Sequence, residues 1–281
     1  MLCRIPYFTK VFFLNPKLLF KKVLGRILLE VIPSPKGAVQ VNIGGYTIEM
    51  WPSQNDWWKY KYLGYAYIEI VHNIKKYLPP SGIFINVGAG MGYFSAIASD
   101  IVGDLGQVHC FEPYYSNVKA IQRMIKSKPN SNIILNDYAL GADDGIHNYY
   151  IQRSVNFTES SMIDNFFEKV DETIEVRTKR LDSYLEQKNI DEVSLIKIDV
   201  EGYEYFILKG LSGFFEMAKQ KPPIICEIYM PVYKKSDLSL SEFHAYMKNY
   251  GYQACNIFNP RKRVDIRLLN ETSDVIFMPV Q

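Results

Sequence analysis

The 281-residue sequence predicts an α/β protein, a doubly wound and mostly parallel sheet of seven strands that ends in an antiparallel pair. Three observations carry this. Short apolar runs alternate with helical patterns from residue 82 onward. The run Ile83-Phe84-Ile85-Asn86-Val87 stops at three alternate glycines, Gly88, Gly90 and Gly92, and restarts as a helix at Tyr93. Glu112 stands about 20 residues beyond the last of these glycines, at the end of the second apolar run.

Composition sets the outer limits. With 48% hydrophobic residues the chain can bury a sizeable core, and one α/β unit with an N-terminal extension fits its length better than two equal domains. The expected division is an extension over residues 1–78 and a main domain over 79–281, with an insertion at 142–180. Formal net charge is +2 with acids and bases interleaved, which argues against a nucleic-acid partner. Cys3, Cys110, Cys226 and Cys255 form no C-x-x-C pair and read as reduced core thiols of a cytoplasmic protein.

Asn15, Pro16, Lys17, Lys21, Lys22 and Arg26 interrupt the N-terminal apolar run, so neither a signal peptide nor a spanning helix is expected. Phe20, Val23, Leu24, Ile27, Leu28 and Val31 share one helical face, and lysines and Arg26 take the other. Such a helix around residues 15–32 suits docking on its own domain or on a second subunit, as in a homodimer. Peripheral contact with an anionic membrane is the alternative. Val39 to Met50 alternates on both sides of Gly44-Gly45 and reads as a hairpin. An aromatic segment follows between Trp51 and Tyr67, suited to a substrate contact or a lid. A helix from about Tyr67 to Leu78 then leads to Pro79-Pro80-Ser81-Gly82 and the first core strand.

Past the glycines, Gln107 to Pro113 reads as the second strand, Ser116 to Ser127 as a helix stopped before Pro129, and Ser131 to Gly141 as the third strand with its exit. Residues 142–180 break the rhythm. Tyr149-Tyr150-Ile151 and Ile174 to Arg177 look extended, with a polar loop from Asn156 to Ser161, and an insertion there suits acceptor recognition. A short helix begins at Arg180. Val193 to Gly202 is the fourth strand and Pro223 to Ile228 the fifth. Ser239 and Glu242 form a capping box for a helix that Gly251 ends, and Tyr252 to Phe258 and Asp274 to Pro279 close the chain as strands.

The chemistry follows from strand ends. A carboxylate at Glu112 can accept hydrogen bonds from both hydroxyls of a ribose. Gly88-x-Gly90-x-Gly92 lacks the last glycine of the dinucleotide fingerprint, where Tyr93 stands, and this favours S-adenosylmethionine over NAD. Asp199, Glu201 and Glu227 all sit near carboxyl ends of strands and are the candidate catalytic residues, with His147 in the insertion as an alternative base. The three acids could together take a divalent cation. No Asn or Asp partner stands at a recognisable spacing, so no metal is assigned.

Asn86 to Tyr93, Phe111-Glu112-Pro113, Ala139-Leu140-Gly141, the run Lys197-Ile198-Asp199-Val200-Glu201-Gly202-Tyr203-Glu204 and Glu227-Ile228 together resemble an FkbM-type methyltransferase, from about residue 39 to the end. The strand ending in two carboxylates and a glycine is the most specific part. The resemblance implies a Rossmann-like class I fold and S-adenosylmethionine-dependent O-methylation of a hydroxyl on a sugar, glycan or secondary metabolite. It implies that Gly88, Gly90 and Gly92 line the methionine portion, that Glu112 takes the ribose, and that Asp137 or Tyr138 takes the adenine. Asn86, Ala89, Pro113, Ala139 and Asp199 complete the expected cofactor set. The family commonly has Asp where Asn86 stands. A nicotinamide-dependent oxidoreductase on a similar fold and a non-catalytic membrane-associated module are the competing readings.

Overall fold

The computed structural model describes residue 20 and residues 38–50, 67–153, 158–164 and 167–280. The N-terminal helix expected around residues 15–32, apart from Phe20, and the aromatic segment ahead of Tyr67 lie outside these residues. Among the described residues no helix is long and apolar enough to cross a membrane.

The expected hairpin is present. Strands β1 (Val39–Ile43) and β2 (Tyr46–Met50) pair antiparallel around Gly44 and Gly45. Val41, Tyr46, Ile48 and Met50 bury one face, and the Tyr46 hydroxyl reaches Ser99 and Ser131 Oγ, each at 2.8 Å, so the hairpin is docked on the main sheet. Helix α1 (Ile68–Tyr77) begins at Tyr67, whose backbone is left-handed at φ 50°. Its buried Asn73 donates from Nδ2 to the Ile257 carbonyl at 2.7 Å, which fastens the helix to the last part of the chain.

The main sheet has eight strands in the order β13-β12-β14-β11-β10-β3-β4-β5. Its parallel part is β3 (Ile83–Val87), β4 (Gln107–Phe111), β5 (Ile133–Asn136), β10 (Leu195–Ile198) and β11 (Ile224–Ile228). These strands are buried along nearly their whole length and covered by helices on both faces. Their continuous Ile, Val and Phe runs are the pattern of a parallel sheet without a solvated side. Helices α2 (Tyr93–Val102) and α3 (Tyr115–Lys126) follow β3 and β4. Strand β14 (Ser273–Pro279) runs antiparallel to β11, and β12 (Tyr252–Asn256) antiparallel to β14. This is the expected seven-stranded class I arrangement.

Three features differ from the sequence reading. An eighth strand, β13 (Asn259–Arg263), pairs with β12 as a charged edge. Basic side chains on an edge strand discourage pairing with other chains, so their polarity concealed the strand. The expected third strand is split: β5 stays in the main sheet, whereas β6 (Ala139–Leu140) joins a second sheet, β6-β9-β7-β8, formed with β7 (Gly145–Arg153), β8 (Thr158–Ser161) and β9 (Glu172–Lys179). The polar loop expected up to Ser161 therefore contains a strand, with Tyr150 opposite Ser161.

The helices of the second half are short. Helix α4 (Leu181–Gln187) is where it was expected; α5 (Glu204–Lys209), α6 (Ser212–Met217) and α7 (Met230–Lys235) carry one or two turns each, too few for a periodic signal. Helix α8 (Leu240–Asn249) is capped as expected, with Ser239 Oγ accepting from the Glu242 N–H. Cys110, Cys226 and Cys255 are buried free thiols.

Candidate active site

The glycine turn after β3 is shaped by what lies beside it. Gly88 has φ +72°, and a Cβ there would sit 1.9 Å from the Asp199 carbonyl oxygen, so only glycine lets the first and fourth parallel strands end side by side. The next turn residue, Gly90, at φ +55°, has nothing within 4 Å of its absent Cβ and faces open space. Gly92 presses on Met124 at the start of α2.

Glu112 fixes this turn. Its Oε2 accepts the Gly90 N–H at 2.8 Å and its Oε1 the Tyr114 N–H at 3.0 Å, while only 3% of the residue is exposed. Burial pushes its carboxyl up to about 7, although the Tyr114 and Gly90 amides and Asn117 pull in the other direction. Each oxygen keeps lone-pair capacity for a further donor.

A cleft opens between this turn and the insertion. It is lined by Gly88, Gly90, Glu112, Pro113, Ala139, Asp199 and Glu201, all anticipated, and by Asn117, Tyr149, Ser160, Met162 and Tyr203, which were not. Tyr149 and Ser160 are hydrogen-bonded to each other at 2.7 Å in the second sheet, so the insertion forms one wall of the cleft. Ser161 donates to the Glu201 carbonyl at 3.0 Å and ties that wall to the turn after β10. No residue-type signal marks Tyr149, Ser160 or Met162; they reach the cleft through strand pairing alone.

Other expected cofactor residues lie elsewhere. Asn86 has no exposed surface, donates from Nδ2 to Ser95 Oγ at 3.0 Å and does not line the cleft, because side chains alternate along β3 and position 86 points into the helix layer. Ala89 is buried, and Gly92 serves packing against Met124. Asp137 is exposed beside Arg177, with 3.9 Å between charges. Tyr138 packs edge-on against Phe111. Neither Asp137 nor Tyr138 lines the cleft.

The acids assemble across the strand ends. Ile198 lies opposite Val87 on one side and Cys226 on the other, and Glu227 lies opposite Asp274, so Asp199, Glu227 and Asp274 end three adjacent strands. Glu201 is carried by a tight turn in which it has φ 52° and Gly202 φ 104°. Carboxylate oxygens of Asp199, Glu201 and Glu227 lie within 4.8 Å of one another, a spacing able to hold a cation. Lys197, 1% exposed, places Nζ 2.8 Å from Asp199 Oδ2 and 4.5 Å from the centre of the Phe94 ring.

Burial drives Glu227 far above the usual carboxylate range, reinforced by Asp199, Glu201, Asp274 and Glu204. Burial, reinforced by Asp199, Glu227, Asp274 and Glu201, also raises Tyr67, which packs edge-on on Phe94 at 5.5 Å. His147, the alternative base, sits beside Asp143 at 3.6 Å and does not line the cleft.

The model of the FkbM methyltransferase domain matches residues 86–254. No curated protein sequence matches significantly. Among solved structures, an rRNA methylase from Streptococcus thermophilus is similar at 11% identity and TM-score 0.42, over 75% of this chain and 95% of that one. An S-adenosylmethionine-dependent O-methyltransferase from Thermotoga maritima gives 14% and 0.41 over 76% and 66%. Fibrillarin from Aeropyrum pernix, with natively bound S-adenosyl-L-methionine, gives 12% and 0.39 over 72% and 67%.

Proposed function

From the premise that the chain belongs to the FkbM methyltransferase family, we propose that it methylates a hydroxyl group of a sugar, glycan or secondary metabolite. It is an S-adenosylmethionine-dependent methyltransferase, which sets aside the oxidoreductase and non-catalytic readings of the sequence. The observation that carries the O-methylation reading is the acid group at the end of β10 and β11, next to the cleft that Gly88, Gly90 and Glu112 line.

S-adenosylmethionine supplies an electrophilic methyl group on a sulfonium. The residues that would hold it are Gly88 and Gly90, which let the chain approach closely, and Glu112, whose carboxylate would accept from the ribose hydroxyls. Transfer is an in-line displacement, so alignment of acceptor and methyl supplies much of the acceleration. An alcohol must also lose its proton as its oxygen attacks. Asp199 and Glu201 both line the cleft and are the candidate bases; Glu227 does not line it and stands behind them. Lys197 holds Asp199 in one orientation from the buried side. The near-neutral net charge of +2 favours an uncharged hydroxyl acceptor over a polyanion.

The test is a screen of labelled methyl transfer from S-adenosylmethionine to sugars and hydroxylated metabolites, with wild type, Asp199→Asn and Glu201→Gln. Methyl ethers formed by wild type and lost in at least one variant support the reading. Transfer to nitrogen or carbon acceptors alone, or to RNA alone, overturns it.

A further inference from the structure

We propose that Asp199, Glu201 and Glu227 form a binding site for a divalent, oxygen-seeking cation such as Mg²⁺ or Mn²⁺, with Asp274 beside it. Oxygens sharing a cation at about 2.0–2.6 Å from each can be at most roughly 5 Å apart. The three carboxylates already meet this limit, with ligand oxygens within 4.8 Å of one another. An all-carboxylate set selects a hard cation over a soft one.

Unsatisfied oxygens point the same way independently of the clustering. Glu227 Oε2 is closed off from solvent and has no hydrogen-bond partner. Glu204, without exposed surface, accepts from the Gly202 and Val200 amides at Oε1, inside the turn that carries Glu201, while its Oε2 is buried and has no hydrogen-bond partner. Buried polar atoms without partners are costly, and a bound ion is one standard way in which they are satisfied. Lys197 brings one positive charge to this group beside Asp199. The strand-end partner that the sequence does not reveal by spacing is Asp274, which the antiparallel pairing of β14 on β11 places opposite Glu227.

The role of such a cation rests on the O-methylation reading. Asp199 and Glu201 face both the cleft and the cation, so an acceptor oxygen entering there could complete its coordination, which makes the hydroxyl easier to deprotonate and orients it. Binding itself is independent of that reading.

The experiment is a titration of the full chain with Mn²⁺, followed by the resonance of the free ion, with Mg²⁺ as competitor. One Mn²⁺ per chain is expected, displaced by Mg²⁺ and weakened at least tenfold in Glu227→Gln and in Asp199→Asn. Glu227→Gln replaces a carboxyl by an amide of the same shape, so it keeps the fold. Its thermal midpoint is expected not to respond to Mg²⁺, while that of the wild type rises. Absence of saturable Mn²⁺ binding, or wild-type affinity in both variants, overturns the site. A parallel titration with S-adenosylhomocysteine separates the two readings. Cofactor binding without Mn²⁺ binding removes the cation and leaves the methyltransferase assignment, and the opposite pattern leaves the cation and removes the assignment.

Discussion

Lys197 Nζ lies 2.8 Å from Asp199 Oδ2, with the lysine side chain 1% and the aspartate side chain 30% exposed. Lys197→Met is expected to leave the aspartate charge uncompensated among Glu201 and Glu227. The loss of stability should fall below the roughly 3–5 kcal/mol of a fully buried broken pair, because Asp199 retains solvent. Turnover should fall at least tenfold if Asp199 is the base, because it loses its orientation. Urea denaturation of Lys197→Met, Asp199→Asn and the double variant measures the coupling; purely additive losses would show that the pair holds nothing in place.

The two glycines at the cleft should separate stability from binding. Gly88→Ala puts a Cβ 1.9 Å from the Asp199 carbonyl at φ +72°, and overpacking with left-handed strain costs on the order of 3 kcal/mol or more. Gly90→Ala meets no atom within 4 Å and should cost roughly 1–2 kcal/mol from its φ of +55° alone. The denaturation midpoint should therefore fall sharply only for Gly88→Ala, whereas Gly90→Ala, which lines the cleft, should weaken the cofactor.

Glu112 is expected to make cofactor binding pH-dependent. Burial raises its folded-state value from 4.5 to about 7, so between these two pH values the folded chain holds more protons than the unfolded chain. Stability contributed by this group therefore falls as pH rises through that window and is level above it. Ribose recognition needs the carboxylate, so affinity for S-adenosylhomocysteine should weaken as pH drops below 7, by up to about tenfold per unit. Glu112→Gln should bind weakly at every pH and show no such slope. An equal slope in both proteins would assign the effect to another group.

Much of this fold was legible because its strands are buried on both faces and read as uninterrupted apolar runs bounded by glycine and proline. The turn at Gly88, the carboxylate at Glu112 and the acids at 199, 201 and 227 were visible for a related reason: strand ends fix where such side chains must meet. The rest depended on pairing. Nothing local in Ala139-Leu140 says that it leaves the main sheet, and Tyr149, Ser160 and Met162 enter the cleft only because β7 and β8 pair beside it. Asn86 lies outside the cleft lining, since one step along a strand turns a side chain from the cleft into the helix layer.

The central claim is that the Gly88–Gly90 turn and Glu112 hold the cofactor. Calorimetric titration of S-adenosylhomocysteine into wild type, Glu112→Ala and Asp137→Asn tests it most directly. One site per chain is expected, weakened at least tenfold by Glu112→Ala and unchanged by Asp137→Asn, whose side chain is exposed beside Arg177. Wild-type affinity in Glu112→Ala, or no binding by the wild type, would contradict the account.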